Sequence, residues 1–294
     1  MSEAQSIQWF PGHMTKTKRQ IEKSLRLVDA AAEIIDARIP VSSRNPILNN
    51  LIQNKPRVIL MNKCDMADPV QTARWVEFYR SRGIPALPID CKTGKNLNGF
   101  IPLVRNVLSE QIARWESKGM VGRPIRVMVV GIPNVGKSSL INRLSKNSKA
   151  NVEDRPGVTR SNQWFTIGKG FELLDTPGVL WPKFDDKNVG ERLAFTGAVK
   201  DEVVDTEGLA ARLLEVLRDR YPAALRQRYK LEEIEGLKGY ELLEMIGKKR
   251  GMLISGGEID TERASIMVLD EFRGAKIGRI TLEQVGESNG LAGL

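Results

Sequence analysis

The sequence has few cysteines and histidines and no long hydrophobic run. Its 294 residues include two cysteines and one histidine, and neither cysteine lies in a spacing typical of metal ligands. We therefore expect no disulfide framework and no zinc site. No apolar run approaches the roughly 18 residues of a transmembrane helix, and residues 1–10 lack the basic-then-apolar pattern of a secretory signal. These absences predict a cytoplasmic protein that is not associated with membranes.

Charge is abundant and unevenly distributed. Hydrophobic residues make up 41% of the chain and charged residues 28%, which is typical of a globular protein with one large or two ordinary domains. The net charge is +9; residues 1–182 contain 27 Lys and Arg against 15 Asp and Glu, whereas residues 183–294 contain 18 against 21. The basic excess favours a polyanionic partner such as nucleic acid, although a basic surface that serves solubility alone is the alternative.

Residues 131–138 read G-I-P-N-V-G-K-S and match G-x-x-x-x-G-K-[ST] at every fixed position. The apolar, β-branched run over residues 125–130 predicts a buried strand before the motif, and the apolar periodicity over residues 138–144 predicts a helix after it. A strand, a glycine-rich loop and a helix N-terminus together form a phosphate-binding cradle, in which backbone N–H groups and the helix dipole attract phosphate oxygens.

The residue types of this cradle predict individual roles. We expect Lys137 to reach the β- and γ-phosphates and the hydroxyl group of Ser138 to bind Mg²⁺. The nucleotide-binding residues predicted here are Asn134, Val135, Gly136, Lys137, Ser138 and Ser139.

Residues 62–65, N-K-C-D, directly follow the strand predicted over residues 57–61 and indicate a guanine-binding loop. The Asp65 carboxylate can accept hydrogen bonds from N1–H and the 2-amino group of guanine, whereas adenine would leave it unpaired. We expect Asn62 to connect loops and contact N7, and the stem of Lys63 to pack on the base.

A second base-contacting loop is expected at residues 90–94, D-C-K-T-G, after the strand predicted over residues 86–89. Such loops often read S-A-K, and here Asp90 replaces the serine. The prediction therefore depends on position, and it assigns the backbone N–H of Cys91 or Lys92 to guanine O6.

Two segments after the cradle are expected to sense the γ-phosphate. Thr159 lies in the first and is predicted to complete Mg²⁺ coordination, with Ser161 as the alternative because the loop can be aligned a residue or two differently. Residues 175–178, D-T-P-G, match D-x-x-G, in which Asp175 holds a Mg²⁺-bound water and the Gly178 N–H contacts the γ-phosphate.

The order of these motifs predicts the fold. Ordinary GTPases place the cradle before the base loops, whereas here both base loops come first. We expect a circularly permuted P-loop GTPase domain of the α/β class, with a doubly wound, mostly parallel sheet, over residues 1–182. Apolar stripes such as Leu209, Leu213 and Leu217 predict a smaller all-α domain over residues 183–285, and residues 286–294 are expected to be a frayed tail.

The permuted order and several motifs resemble the bacterial ribosome biogenesis GTPase A family, from residue 7 to about residue 283. The resemblance rests on residues 8–14 (Q-W-F-P-G-H-M), Asp36-Ala37-Arg38, the cradle, residues 154–157 (D-R-P-G) and residues 175–178. It implies a GTPase that binds the precursor of the large (50S) ribosomal subunit in its GTP state, promotes a late maturation step and is released on hydrolysis. It also implies an RNA-binding helical C-terminal domain.

Hydrolysis is expected to be slow in the protein alone and stimulated by the ribosomal subunit. The positions after D-x-x-G hold Val179 and Leu180 instead of a glutamine that orients water. We hypothesise that His13 supplies this function; a positional or RNA-contacting role is the alternative. Asn134 is a candidate for helping to hold K⁺, with a purely structural role as the alternative.

Two basic clusters are candidates for contacts with ribosomal RNA, and solvated surface is the alternative for each. They comprise Lys16, Lys18 and Arg19, and Lys248, Lys249 and Arg250. A nucleotide-gated module that recruits proteins, with incidental hydrolysis, is the competing function. A role in assisting RNA modification is a third possibility, although residues 183–294 contain no recognisable modification chemistry.

Overall fold

A computed structural model of the chain describes residues 11–52, 54–146, 163–168, 170–178, 186–199 and 205–287; side chains are not described for residues 11–17, 146 and 187. The chain forms two compact units. One comprises Met1–Asp185 together with Glu283–Leu294, and the other comprises Asp186–Leu282. The predicted boundaries lie after residues 182 and 285. The structure differs in that residues 283–285 belong to the first unit.

A six-stranded sheet forms the centre of the first unit. Its strands lie in the spatial order β3-β2-β1-β4-β6-β5, and all neighbours are parallel except the β5–β6 hairpin. The inner strands are almost continuously buried and apolar, as expected when helices cover both faces of a parallel sheet. The strands are β1 (Ala30–Asp36), β2 (Arg57–Asn62), β3 (Ala86–Pro88), β4 (Ile125–Val130), β5 (Gln163–Ile167) and β6 (Phe171–Asp175).

Six α-helices of this unit surround the sheet within the described residues. They are α1 (Pro11–Leu25), α2 (Pro46–Ile52), α3 (Pro69–Ser81), α4 (Phe100–Val107), α5 (Ser109–Ser117) and α6 (Lys137–Lys146). Asp68 followed by Pro69 predicts the start of a helix. Helix α3 begins there, and the Asp68 side chain accepts hydrogen bonds from the N–H groups of Val70 and Gln71. Ile21 and Leu25 of α1 pack with Met128 and Leu174 of the sheet.

The sequence of residues 97–118 favours a single long helix, and this prediction is wrong. The chain forms a 3₁₀ turn at Leu97–Gly99, followed by α4 and α5, which are separated at Leu108, where φ is −98° and ψ is 9°. Helix α4 buries Phe100 and Val104, whereas α5 has no buried residue. The break therefore occurs where the apolar stripe that holds α4 to the sheet ends.

The second unit is helical in its described part. It contains α7 (Lys187–Phe195), α8 (Thr206–Arg220), α9 (Pro222–Tyr229), α10 (Gly239–Lys249) and α11 (Thr261–Arg273). The predicted stripe of α8 is buried at Leu209, Leu213 and Leu217. Pro222 predicts the end of the preceding helix; α8 ends at Arg220, and Pro222 is also the first residue of α9. Among the described residues, no helix combines the length and apolar character needed to cross a membrane.

Candidate nucleotide-binding site

The cradle, the D-x-x-G segment and both predicted base loops follow the carboxyl ends of parallel strands. The cradle follows β4, residues 175–178 lie at the end of β6, residues 62–65 at the end of β2, and residues 90–94 after β3. Because these strands are parallel, their carboxyl ends lie along one edge of the sheet. Both base loops precede the cradle in the chain, yet all four segments lie along this one edge of the sheet, as the circularly permuted fold predicts.

The two glycines of the cradle allow other chain segments to approach it closely. A Cβ atom added at Gly131 would lie 2.5 Å from the Ile34 carbonyl oxygen. At Gly136, where φ is +110°, it would lie 2.2 Å from the side-chain nitrogen of Asn62. Larger residues would displace the neighbouring strand end or the base loop.

Lys137 begins α6, and its ammonium group points back into the cradle. Its Nζ donates to the carbonyl oxygens of Ile132 at 2.8 Å and Gly131 at 3.2 Å. Burial lowers the pKa of Lys137 to about 8, and the nearby Asp175 carboxylate offsets part of this effect. Ser138 and Ser139 are exposed in the first turn of the same helix. This buried cation at a helix N-terminus is suited to binding phosphate.

Asn62 connects the cradle with both base loops. Its amide nitrogen donates to the Val135 carbonyl at 2.7 Å, and its amide oxygen accepts from the Cys91 N–H at 3.0 Å. The N–H of Lys92 donates to Asp90 at 2.7 Å. Both N–H groups predicted for guanine O6 therefore have acceptors within the protein.

Asp90 organises the second base loop in the position where a serine was expected. Its carboxylate accepts hydrogen bonds from the N–H groups of Lys92 and Thr93 and from the Thr93 hydroxyl. Burial alone would raise the pKa of Asp90, but these hydrogen bonds outweigh it and hold the pKa below its ordinary value. Arg143 of α6 also donates to the Thr93 carbonyl, so the loop is anchored to the helix of the cradle.

The guanine-recognition loop presents one acceptor that has no partner among the described residues. Asp65 Oδ1 is buried and has no hydrogen-bond partner in the described part of the chain. Such an atom is costly unless a ligand supplies a donor. Lys63 lies in the left-handed region with φ of +61°, and its Nζ lies 3.0 Å from Asp36 Oδ2.

Asp36 lies at the carboxyl end of β1 and pairs with Lys63, a role in the site that its sequence motif does not predict. The position of Asp36 in the sheet could have indicated this role, because β1 lies between β2, which precedes the base loop, and β4, which precedes the cradle. A charged residue at the carboxyl end of β1 therefore lies at the same edge of the sheet as both loops.

The D-x-x-G segment lies directly against the cradle. Asp175 is buried at the end of β6, and the Thr176 hydroxyl donates to the Val129 carbonyl at 2.7 Å. A Cβ atom added at Gly178 would lie 2.8 Å from Lys137 Nζ and 3.0 Å from the backbone of Pro133. Gly178 is therefore placed beside the cation expected to bind the terminal phosphate.

The residues predicted to bind Mg²⁺ supply a hydroxyl group and a carboxylate. Oxygen ligands of this kind suit Mg²⁺, which keeps several waters and uses phosphate oxygens in nucleotide sites. Ser138 and Asp175 therefore fit the ion chemically. Within the described ranges, no group of three or more His, Cys, Asp or Glu side chains could hold a metal ion by itself.

Several predicted residues lie outside what the structure describes. They are Thr159, its alternative Ser161, and the side chains of His13 and Lys16. Lys18, Arg19, Lys248 and Lys249 are exposed. Arg250 is also exposed, but its guanidinium lies 5.6 Å from the centre of the Tyr229 ring and 3.9 Å from Glu271, so it is partly engaged within its own unit.

Comparison with known proteins places this site in a protein family. A family described as 50S ribosome-binding GTPase matches residues 126–234. The chain is 47% identical to ribosome biogenesis GTPase A of Priestia megaterium, over 96% of this chain and 98% of that protein. It is 31% identical to ribosome biogenesis GTPase A of Thermotoga maritima, over 95% of this chain and 94% of that protein.

Two solved structures are similar over most of the chain. The GDP-bound structure of TM YlqF is 28% identical with a TM-score of 0.64, and the similarity covers 92% of this chain and all of that one. GNP-bound YlqF from T. maritima gives a TM-score of 0.62 at the same identity, over 92% and 98% of the two chains. The similarity thus extends beyond the residues of the cradle to both units.

Proposed function

Because the chain belongs to the ribosome biogenesis GTPase A family, whose members are GTPases that act in ribosome biogenesis, we propose that it binds the precursor of the large (50S) ribosomal subunit in its GTP state. It promotes a late maturation step there and leaves when GTP is hydrolysed. The proximity of Gly178 to Lys137 supports this proposal. Gly178, which is expected to sense the γ-phosphate, follows β6, and the chain continues from there to the helical unit.

Guanine nucleotides bind, in this proposal, between the cradle and the base loops. Asp65 pairs with N1–H and the 2-amino group, and its partnerless buried oxygen supports this assignment. The test is Asp65→Asn, which should lose GDP affinity by about 100-fold or more and gain affinity for xanthosine diphosphate. Asp219→Asn, a surface change in the helical unit, is the control. Unchanged preference for guanine in the Asp65 variant would contradict the assignment.

Each residue around the terminal phosphates has a separate role in hydrolysis. Lys137 binds the β- and γ-phosphates, the Gly178 N–H contacts the γ-phosphate, and Ser138, Thr159 and Asp175 hold Mg²⁺ or its waters. A GTPase of this kind generally uses Mg²⁺, which when bound neutralises charge on the phosphates. The remaining task is to orient the attacking water.

His13 orients that water in this proposal, when ribosomal RNA binds the basic residues that flank it. A neutral imidazole can accept a proton or hydrogen bond from water near pH 7. His13→Ala should abolish subunit-stimulated turnover and leave GTP binding intact, with Glu22→Ala on the exposed side of α1 as the control. Stimulation that persists in the His13 variant would remove this role.

Asn134 helps to hold K⁺ beside the phosphates. It lies in the exposed part of the cradle with φ of +59°, a conformation that asparagine tolerates better than most residues. Faster turnover in K⁺ than in Na⁺ buffer is expected from the added positive charge. Equal rates would leave Asn134 with a structural role in the loop.

The helical unit supplies RNA contacts, with Lys248, Lys249 and Arg250 as candidates, and Lys16, Lys18 and Arg19 of α1 add to them.

Measuring GTP turnover with and without purified large subunits tests the main proposal, which predicts strong stimulation by the subunits. Binding to the subunit should weaken steeply as salt rises, because phosphate contacts release counterions. A shallow salt dependence without stimulation would favour the alternative, a nucleotide-gated module that recruits proteins.

A further inference from the structure

The segment that follows the helical unit returns to the nucleotide-binding unit and is held there by a buried carboxylate. Glu283 is 3% exposed. Its side chain accepts hydrogen bonds from the Val41 N–H at 2.6 Å, from the Ser42 N–H at 3.1 Å and from the Ser42 hydroxyl. Burying a carboxylate without hydrogen-bond donors costs free energy. These hydrogen bonds therefore hold residue 283 and residues 41–42 in fixed positions relative to each other.

Two further contacts anchor the same segment behind the base loops. The indole N–H of Trp75 donates to the Glu283 carbonyl at 3.0 Å. Val285 packs against a core cluster that contains Met61 and Cys64, the latter within the guanine-recognition loop. Residues 283–287 therefore contact the base side of the nucleotide site and form part of that unit.

The loop held by Glu283 connects directly to Asp36. Ser43 follows Ser42, and its hydroxyl oxygen accepts the Asp36 N–H at 3.0 Å. Asp36 is 2% exposed and is held by Arg38 through hydrogen bonds of 2.9 and 2.7 Å. Its Oδ2 lies 3.0 Å from Lys63 Nζ. A continuous series of contacts thus leads from Glu283 to the lysine expected to pack on the guanine base.

The charge of Asp36 is stable at physiological pH. Burial would raise the pKa of Asp36, but Arg38 and Lys63 outweigh that effect and lower it well below its ordinary value. Asp36 is therefore ionised across the neutral range.

We propose that residues 283–287 form a positioning element of the guanine-base site, in which Glu283 acts through residues 41–43 and Asp36 to orient Lys63. The helical unit is then connected to the nucleotide site through both of its ends, after the D-x-x-G segment and before Glu283. Any ligand that strains the second connection alters guanine affinity through the same contacts. This inference rests on the guanine site proposed above.

The first experiment measures GDP affinity with a fluorescent GDP analogue in Glu283→Gln and Ser42→Ala. Glutamine offers one acceptor oxygen where the carboxylate offers two, and alanine removes the hydroxyl donor. Each should weaken GDP binding by about fivefold or more, as for a weak allosteric coupling. Glu233→Gln, an exposed residue with the same chemical change, should leave affinity unchanged.

The second experiment separates positioning from general destabilisation. In a Lys63→Ala background, Glu283→Gln should change GDP affinity by less than about twofold, because its route to the base has been removed. Additive losses, or single variants that bind GDP as tightly as Glu233→Gln, would overturn the inference. If circular dichroism shows that Glu283→Gln does not fold, Ser42→Ala tests the inference instead. Its GDP affinity is then measured alone and in the Lys63→Ala background.

Failure of this inference can be distinguished from failure of the proposed site. If the unaltered protein does not bind GDP, or if Asp65→Asn keeps its guanine preference, the guanine site itself is wrong. If the unaltered protein binds GDP and Asp65→Asn switches as expected, unchanged affinity in the Glu283 and Ser42 variants contradicts only the positioning role.

Discussion

The side-chain amide of Asn62 donates to the backbone carbonyl of Val135 at 2.7 Å, which joins the guanine-recognition loop to the phosphate cradle across 73 residues of sequence. The same side chain accepts from the Cys91 N–H. One amide therefore fixes the distance between the part of the site expected to bind the base and the part expected to bind phosphates. A nucleotide that must reach both ends depends on this spacing.

Replacing this amide should weaken nucleotide binding through geometry. In Asn62→Ala, the Val135 carbonyl and Cys91 N–H lose their partner, and leaving buried backbone groups unpaired costs about 1–3 kcal/mol each. We expect GDP affinity to fall by about 10- to 100-fold in a fluorescent-GDP titration. Asn106→Ala, an exposed asparagine on α4, should bind normally. Equal affinity of the two variants would contradict the bridging role.

The motifs of the site could be predicted because each is local. The cradle is a contiguous strand, loop and helix, and N-K-x-D and D-x-x-G each follow an apolar strand, so a few neighbouring residues reveal them. The Asp68 cap of α3 could be predicted for the same reason. Local patterns also gave the elements whose carboxyl ends form the site.

Contacts between distant segments could not be predicted in this way. Glu283 and Ser42 are 241 residues apart, and nothing near either residue in sequence indicates the other. The role of Asp90 in holding the second base loop could not be predicted either. It depends on a hydrogen bond from the Thr93 hydroxyl, and the loop is also held by Arg143 of α6, which is distant in sequence. The break at Leu108 has no local signal, because neither glycine nor proline occurs between residues 103 and 117; it coincides with the end of burial, since α4 has buried residues and α5 has none.

Gly178→Ala should discriminate between GTP and GDP. The added methyl group would lie 2.8 Å from Lys137 Nζ and 3.0 Å from the Pro133 backbone, so the segment must move away from the cradle. The Gly178 N–H would then lose its contact with the γ-phosphate. Loss of a hydrogen bond to a charged group predicts about a tenfold or greater loss of affinity for a non-hydrolysable GTP analogue.

Affinity of the Gly178 variant for GDP, which lacks the γ-phosphate, should change by less than about threefold. Gly99→Ala is the matched control, because the added methyl group would meet Leu87 at an ordinary 3.4 Å. An equal loss for both nucleotides would show that the methyl group acts through Lys137 and not through the γ-phosphate sensor.

Asp90→Ala should destabilise the nucleotide-binding unit in a pH-dependent manner. The carboxylate accepts three hydrogen bonds within its loop, and hydrogen bonds to a charged group contribute about 1.5–3 kcal/mol. Because the pKa of Asp90 is lowered in the folded protein, the contribution is present above the unfolded pKa of about 4. It is lost as the pH falls through the folded pKa.

Urea unfolding followed by circular dichroism at several pH values tests this contribution. The difference between the unaltered protein and Asp90→Ala should be constant from pH 7 to about pH 5 and decline below about pH 4. Asp90→Ser, which keeps an acceptor oxygen, should recover part of the stability at pH 7. A difference that grows as the pH falls would contradict the ionised role of Asp90.

Nucleotide binding should take up protons near pH 8 because of Lys137. Burial in the cradle lowers the pKa of this side chain to about 8, so about half of the protein molecules carry a neutral amine at that pH before nucleotide binds. Phosphate oxygens favour the ammonium form and raise the pKa on binding. Affinity for Mg²⁺-GDP should therefore decrease as the pH rises above about 8, and binding at pH 8 should take up about half a proton.

Calorimetric titration of GDP in buffers of different ionisation enthalpy measures this uptake directly. At pH 8 the observed enthalpy should vary with the buffer, whereas at pH 7 the uptake should fall to about a tenth of a proton, because most of Lys137 is already charged. Lys118→Met, at an exposed position after α5, should leave the uptake unchanged. A binding enthalpy at pH 8 that is the same in every buffer would mean that the Lys137 ammonium is already charged before the nucleotide arrives.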